Sequence, residues 1–197
     1  MDLQQIFDNT DFVHASGTKE ELQVAEYLKT QCENMGVASR IEGFRVAMGE
    51  IETAHLYADG EEVTCKAFTC CGSGVTEGEL YYMPGTDPVS IAGAKDKIVL
   101  MDTQGVGFFV YQDLMKAGAK AILFQYGNLH YPQQDIDQRD LREVVVGEER
   151  KVLCAMIHCS DAVKLVKNNV KKIRLEVEQR EYDGESHNVI AELPGKK

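Results

Sequence analysis

The 197-residue chain lacks any run of apolar side chains near the ~20 that a bilayer span requires; its continuous stretches are short, as in Ile98-Val99-Leu100-Met101. Membrane insertion is therefore not expected. Positive charge is scarce as well. Against 32 aspartates and glutamates stand 21 lysines and arginines, a formal net charge of −11, which argues against nucleic acid as a partner. The start, Met1-Asp2-Leu3-Gln4-Gln5, has neither a basic segment nor an apolar one behind it, so nothing marks the chain for secretion as it stands. A processed chain would read the same. What is present, 44% apolar and 27% charged residues, suits one or two compact domains with a real core.

Six cysteines could form a disulfide framework, but a chain of this length needs no staples, so reduced thiols and a cytoplasmic location are expected. Zinc binding by cysteine is the rival reading, and the spacing is poor for it. Cys65 and Cys70, like Cys154 and Cys159, are separated by four residues with no second knuckle of zinc-site type. Read along the strand that begins at Val152, Cys154 and Cys159 have opposite parity and point to opposite faces.

Thr18-Lys19-Glu20-Glu21 is a capping-box pattern: Thr18 caps the helix and Glu21 reaches back to the Thr18 N–H. Leu22, Ala25, Leu28, Cys32 and Met35 then recur at helical spacing up to Gly36, which predicts a helix over 19–35. An extended segment over 39–46 follows, with a boundary near Phe44. The runs 51–58 and 61–68 flank Asp59-Gly60, the signal for a type I′ hairpin. Cys70-Cys71-Gly72-Ser73-Gly74 reads as a turn, and 78–83 as a strand. The apolar runs 98–101 and 121–124 read as strands buried on both faces, with a helix over 108–117 stopped by Gly118 between them: a β-α-β unit with a right-handed crossover. Residues 127–150, with Tyr131-Pro132 and alternating charges, read as a long polar loop. A strand over 152–157, a short helix capped by Ser160 or Asp161, a strand through Ile173, Leu175 and Val177, and a last strand over 186–193 complete the reading.

Catalytic motifs fail one by one. Gly105-x-Gly107 would need its third glycine where Val110 stands, and Ala92-Gly93-Ala94-Lys95 lacks the length and the hydroxyl residue of a phosphate loop. The histidines, His14, His55, His130, His158 and His187, form no His-Glu-x-x-His, and no Gly-x-Ser-x-Gly elbow occurs. His55 and His158 fall within strands and read as structural. No catalytic, cofactor-binding or metal-binding residue is assigned.

His14-Ala15-Ser16-Gly17-Thr18, the helix to Gly36 and Glu42-Gly43-Phe44 resemble the opening of zinc-dependent aminopeptidases of peptidase family M-twenty-eight. Lys97-Ile98-Val99-Leu100-Met101-Asp102 and Lys116-Ala117-Gly118-Ala119-Lys120-Ala121-Ile122-Leu123-Phe124 resemble their protease-associated (PA) domain. Ser186-His187-Asn188-Val189-Ile190-Ala191-Glu192-Leu193-Pro194-Gly195 resembles the strand that re-enters the peptidase domain before its first metal ligand. The likeness spans essentially the whole chain. It implies an α+β fold: an N-terminal helical segment of a peptidase domain over 1–44, a swivelling β/β/α PA domain over 45–182, and the start of the re-entering strand over 183–197. It also implies that the His-x-Asp motif, the further ligands of two zinc ions and the glutamate base would all follow Lys197. The chain is then an N-terminal fragment, inert alone because zinc hydrolysis needs both the ions and a positioned carboxylate.

Two functions follow as expectations. The first is an accessory PA portion of a metallopeptidase, a lid or substrate guide whose 127–150 loop leans over a peptide with Tyr131, Arg139 and Arg142; its partners are the catalytic domain in cis and the peptide substrate. The second is a free-standing protein-interaction module on the same fold, which would have no use for the flanks. Those flanks, lacking the catalytic domain, are expected to self-associate into a homo-oligomer.

Overall fold

In the computed structural model, which describes residues 3–131 and 134–195, the elements in chain order are α1 (Leu3–Thr10), α2 (Lys19–Asn34), β1 (Ala38–Ala58), β2 (Glu61–Val63), β3 (Cys65–Ala67), β4 (Gly74–Met83), α3 (Pro88–Ala92), β5 (Lys97–Met101), α4 (Phe108–Ala117), β6 (Ala121–Tyr126), α5 (Glu143–Val146), β7 (Leu153–His158), α6 (Cys159–Lys167) and β8 (Lys172–Glu192). Pro132 and Gln133 of the polar stretch, the first two residues and the last two lysines lie outside the described residues. The result is a mixed α/β, β-rich fold. Its chain divides into two units, Met1–Met48 with Tyr182–Lys197 and Gly49–Glu181.

The centre of the second unit is parallel. β4, β5, β6 and β7 pair in that order, all parallel, with Ile98 opposite Ala121 and Ala121 opposite Leu153. Strands covered on both faces must be apolar throughout, and Ile98 to Met101, Ala121 to Phe124 and Leu153 to Ile157 are all buried. Tyr111, Leu114 and Met115 of α4 and Ala162 and Leu165 of α6 join the same core. The expected β-α-β unit is present, inside a parallel array larger than the sequence reading proposed.

The full strand order is β2-β1-β8-β4-β5-β6-β7-β3. β2 and β3 are its two ends, yet only Thr64 separates them in the chain. A single residue advances the backbone less than 4 Å, so the ends must meet and the sheet curls nearly closed. Gln179 of β8 fastens that seam. Its Oε1 accepts the Cys70 N–H at 2.8 Å and its Nε2 donates to the Gly72 carbonyl at 2.8 Å, while its backbone N–H bonds Ser73 Oγ at 3.0 Å. Gly49 passes so close that a Cβ there would lie 2.8 Å from the Cys70 nitrogen, which leaves no room for any side chain.

Several expectations are corrected. The expected strand over 61–68 is two strands: β2 pairs with β1, while β3 leaves to pair antiparallel with β7, Cys65 opposite Ile157. The extended segment over 39–46 and the run 51–58 are one 21-residue strand, as are the runs at 173–177 and 186–193 up to Glu192. α6 starts at Cys159 with His158 as N-cap and no side-chain cap, so neither Ser160 nor Asp161 caps it. Cys159 therefore no longer follows strand parity, and the opposite-face reading of Cys154 and Cys159 lapses. α1 had no sequence signal recognised for it. The hairpin turn stands as expected, with Asp59 at φ 49 and Gly60 at φ 94.

The first unit is differently built. Thr18 caps α2 by accepting the Glu21 N–H, and Gly36 stops it at φ 76. Among the described residues of this unit only Ala25 and Ser186 are buried; Leu22, Leu28 and Val189 are half-buried, and Phe7, Met35 and Leu193 stand exposed.

Candidate functional site

In parallel α/β sheets, ligands bind beyond the carboxyl ends of the strands. Here β5 and β6 end at Met101 and Tyr126 and open into residues 102–107 and 127–142. Polar side chains gather there. The Gln125 amide donates to Asp102, and the Arg139 guanidinium reaches Gln104 Oε1 at 3.4 Å and Asp137 Oδ2 at 3.3 Å. The hydrogen bond and charge of Asp137 raise the Tyr126 phenol above its ordinary range. The polar stretch is no free excursion: its Ile136 and Leu141 are buried, and Thr69 bonds Arg139 and Leu141 through the backbone at 2.9 and 2.8 Å. Two aliphatics five positions apart within a charged run were the signal for this anchoring. Of the residues expected to face a peptide, Tyr131 is 69% exposed, while Arg139 and Arg142 engage acidic neighbours, Arg142 with Asp140 at 3.9 Å. These groups can hold and orient a ligand. They include no nucleophile beside a base.

The cysteines are all free thiols. Burial pushes Cys65 up to about 11, and burial likewise raises Cys70, Cys71 and Cys154, so none of these four is a thiolate at neutral pH. The histidines are dispersed. His55 pairs with Glu62 at 2.9 Å, His14 turns back to the Phe12 carbonyl, His130 is exposed in the loop and His158 precedes α6. Among the described residues no three His, Cys, Asp or Glu side chains are grouped to hold a metal ion. The zinc ligands that the resemblance implies are expected after Lys197, not among these residues.

His187 has a specific partner. Glu21, expected to complete the capping box, instead accepts the His187 backbone N–H at 3.0 Å and meets His187 Nδ1 at 3.0 Å, while the Thr18 N–H goes to the Ala15 carbonyl. Beside them Ser16 Oγ donates to Ser186 Oγ at 2.7 Å. Burial pushes the Glu21 carboxyl up, but the hydrogen bonds and charge of His187 and a bond to Ser186 outweigh it and hold the group below the usual carboxylate range. A general base at neutral pH needs the opposite shift. The cluster is a polar clasp between α2 and the end of β8.

No protein-family model matches the chain, and no curated protein matches it in sequence. Solved structures match its fold. An aminopeptidase from Aneurinibacillus sp. strain AM-1 superposes with a TM-score of 0.70 at 21% identity over 95% of this chain and 46% of its own. BSAP, a zinc aminopeptidase from Bacillus subtilis, gives 0.67 at 16% identity over 98% of this chain and 46% of its own. A peptidase precursor of family M-twenty-eight from Shewanella amazonensis gives 0.63 at 15% identity over 98% and 49%. The chain thus has the fold of a portion of these three peptidases, and it spans less than half the length of each.

Proposed function

We propose that this chain is the part of an aminopeptidase-like metallopeptidase that precedes the metal ligands, with Gly49–Glu181 serving as a PA-type accessory module, a lid or substrate guide beside the catalytic cleft. The fold likeness over 95–98% of this chain, but only 46–49% of the three neighbours, carries the reading. The thinly buried first unit supports it, since its half-buried Leu22, Leu28 and Val189 suit an element finished by further chain. A free-standing interaction module would have no use for α2 or the end of β8. In this role the chain contributes binding and orientation through the 102–107 and 127–142 loops, and no bond-making step. The test is calorimetry with zinc and a leucine p-nitroanilide assay on the purified, tag-free chain. No stoichiometric zinc uptake and no hydrolysis are expected; one-to-one binding at submicromolar affinity together with turnover would overturn the proposal.

A further inference from the structure

The start of α4 exposes two aromatic rings side by side. Helix positions 111, 114 and 115 face the core, and Gln112 leans on α5 by donating to the Val146 carbonyl at 2.7 Å. Phe108 lies along the same side, its ring 3.2 Å from where a Gly147 Cβ would be, and remains 44% exposed. Phe109 packs edge to face against it at 5.2 Å between ring centroids and is 78% exposed. Among the described residues of the second unit nothing covers either ring fully. The surroundings are acidic: Asp113 lies one turn along from Phe109, and Glu148 follows Gly147, with Glu143 and Glu149 on either side of that corner. Against these four stand Lys116, Arg142, which is paired with Asp140, and Arg150, whose guanidinium donates to the Ala119 carbonyl.

We propose that the Phe108–Phe109 corner is a docking site for an extended peptide segment that carries an apolar side chain flanked by lysine or arginine. Paired aromatics supply large, low-entropy contact area, and an acidic rim on a chain of net charge −11 selects and steers a cationic partner rather than an anionic one. The corner follows the 102–107 segment that leaves β5, on the strand-end side where ligands of parallel sheets bind. This goes beyond the aminopeptidase reading, because a peptide can dock here on the isolated chain.

The experiment is fluorescence anisotropy of the intact chain with a labelled, end-blocked decapeptide alternating lysine and leucine, beside a counterpart in which every lysine is glutamate. The lysine peptide is expected to bind with an affinity that falls as salt rises, and the glutamate peptide at least tenfold more weakly. Phe109→Ser should weaken the lysine peptide about tenfold, and Asp113→Lys about fivefold. Val13→Ser, at a strongly exposed apolar residue elsewhere, should change nothing. Equal binding of both peptides, no measurable binding, or equal effects of Phe109→Ser and Val13→Ser would overturn the proposal. Circular dichroism confirms that each variant folds, and the zinc and hydrolysis outcomes do not bear on it.

Discussion

Replacing Gln179 by alanine should open the seam of the curled sheet. The side chain makes two short hydrogen bonds, from the Cys70 N–H and to the Gly72 carbonyl, both at 2.8 Å. Each is worth about 1 kcal/mol net, and a buried donor left without a partner adds roughly another. Cys70 is 3% exposed and its N–H donates to Gln179 Oε1, so a loss of about 2–3 kcal/mol is expected when that acceptor is removed. Gly72 retains its other tie, from its N–H to Glu181 at 2.8 Å, which limits the damage to the seam. With a urea slope of roughly 1.5–2 kcal/mol/M for a unit of this size, the midpoint should fall by about 1–2 M, read by tyrosine fluorescence because the chain has no tryptophan. Gln179→Glu, which keeps the acceptor and loses the donor, should fall between. A midpoint unchanged within ~0.2 M for the alanine variant would mean that the seam is held by packing alone.

Gly60→Val should cost about 1 kcal/mol or more, because the turn needs positive φ there; an unaltered midpoint would contradict the turn geometry. The depressed Glu21 carboxyl contributes stability that is present above its unfolded pKa and is lost as pH falls through its lower folded value. Hydrogen-exchange protection of α2 should therefore decline on acidification below about pH 4.5, and Glu21→Gln should lower it at neutral pH and flatten the dependence. Cys154 should react with a thiol reagent at pH 8 only on the timescale of unfolding, as burial holds it protonated; rapid labelling would refute its placement. Sedimentation of the isolated chain should reveal a dimer or larger species through α2 and the end of β8, reverting to monomer when residues 186–197 are deleted, whereas a strict monomer with both flanks protected would show that they need no partner.

Legibility followed the range over which each signal acts. Gly36, Gly118, Asp59-Gly60 and the apolar runs around Val99, Ile122 and Ala155 act locally, and the elements they mark are where the pattern put them. The division of 61–68 was not legible. Lys66 and Ala67 alternate as any strand does, and only long-range competition between β1 and β7 decides their partner. The same holds for Glu21: its spacing from Thr18 fits a capping box, but His187, 166 residues away, offers both a backbone and a ring nitrogen and takes the carboxylate. Ile136 and Leu141 were hidden among charges, and the helix pattern over 108–117 did not say which side faces the core, which Tyr111 and Leu114 take while Phe108 and Phe109 stay exposed.

The central claim is that this chain precedes the metal ligands of a longer peptidase, and reading the encoding gene beyond codon 197 tests it most directly. The account predicts a continuing frame with a His-x-Asp motif soon after the Asn188-Val189-Ile190-Ala191 strand, followed by further aspartate, glutamate and histidine residues able to complete a two-zinc site. A frame that stops at Lys197 would contradict it.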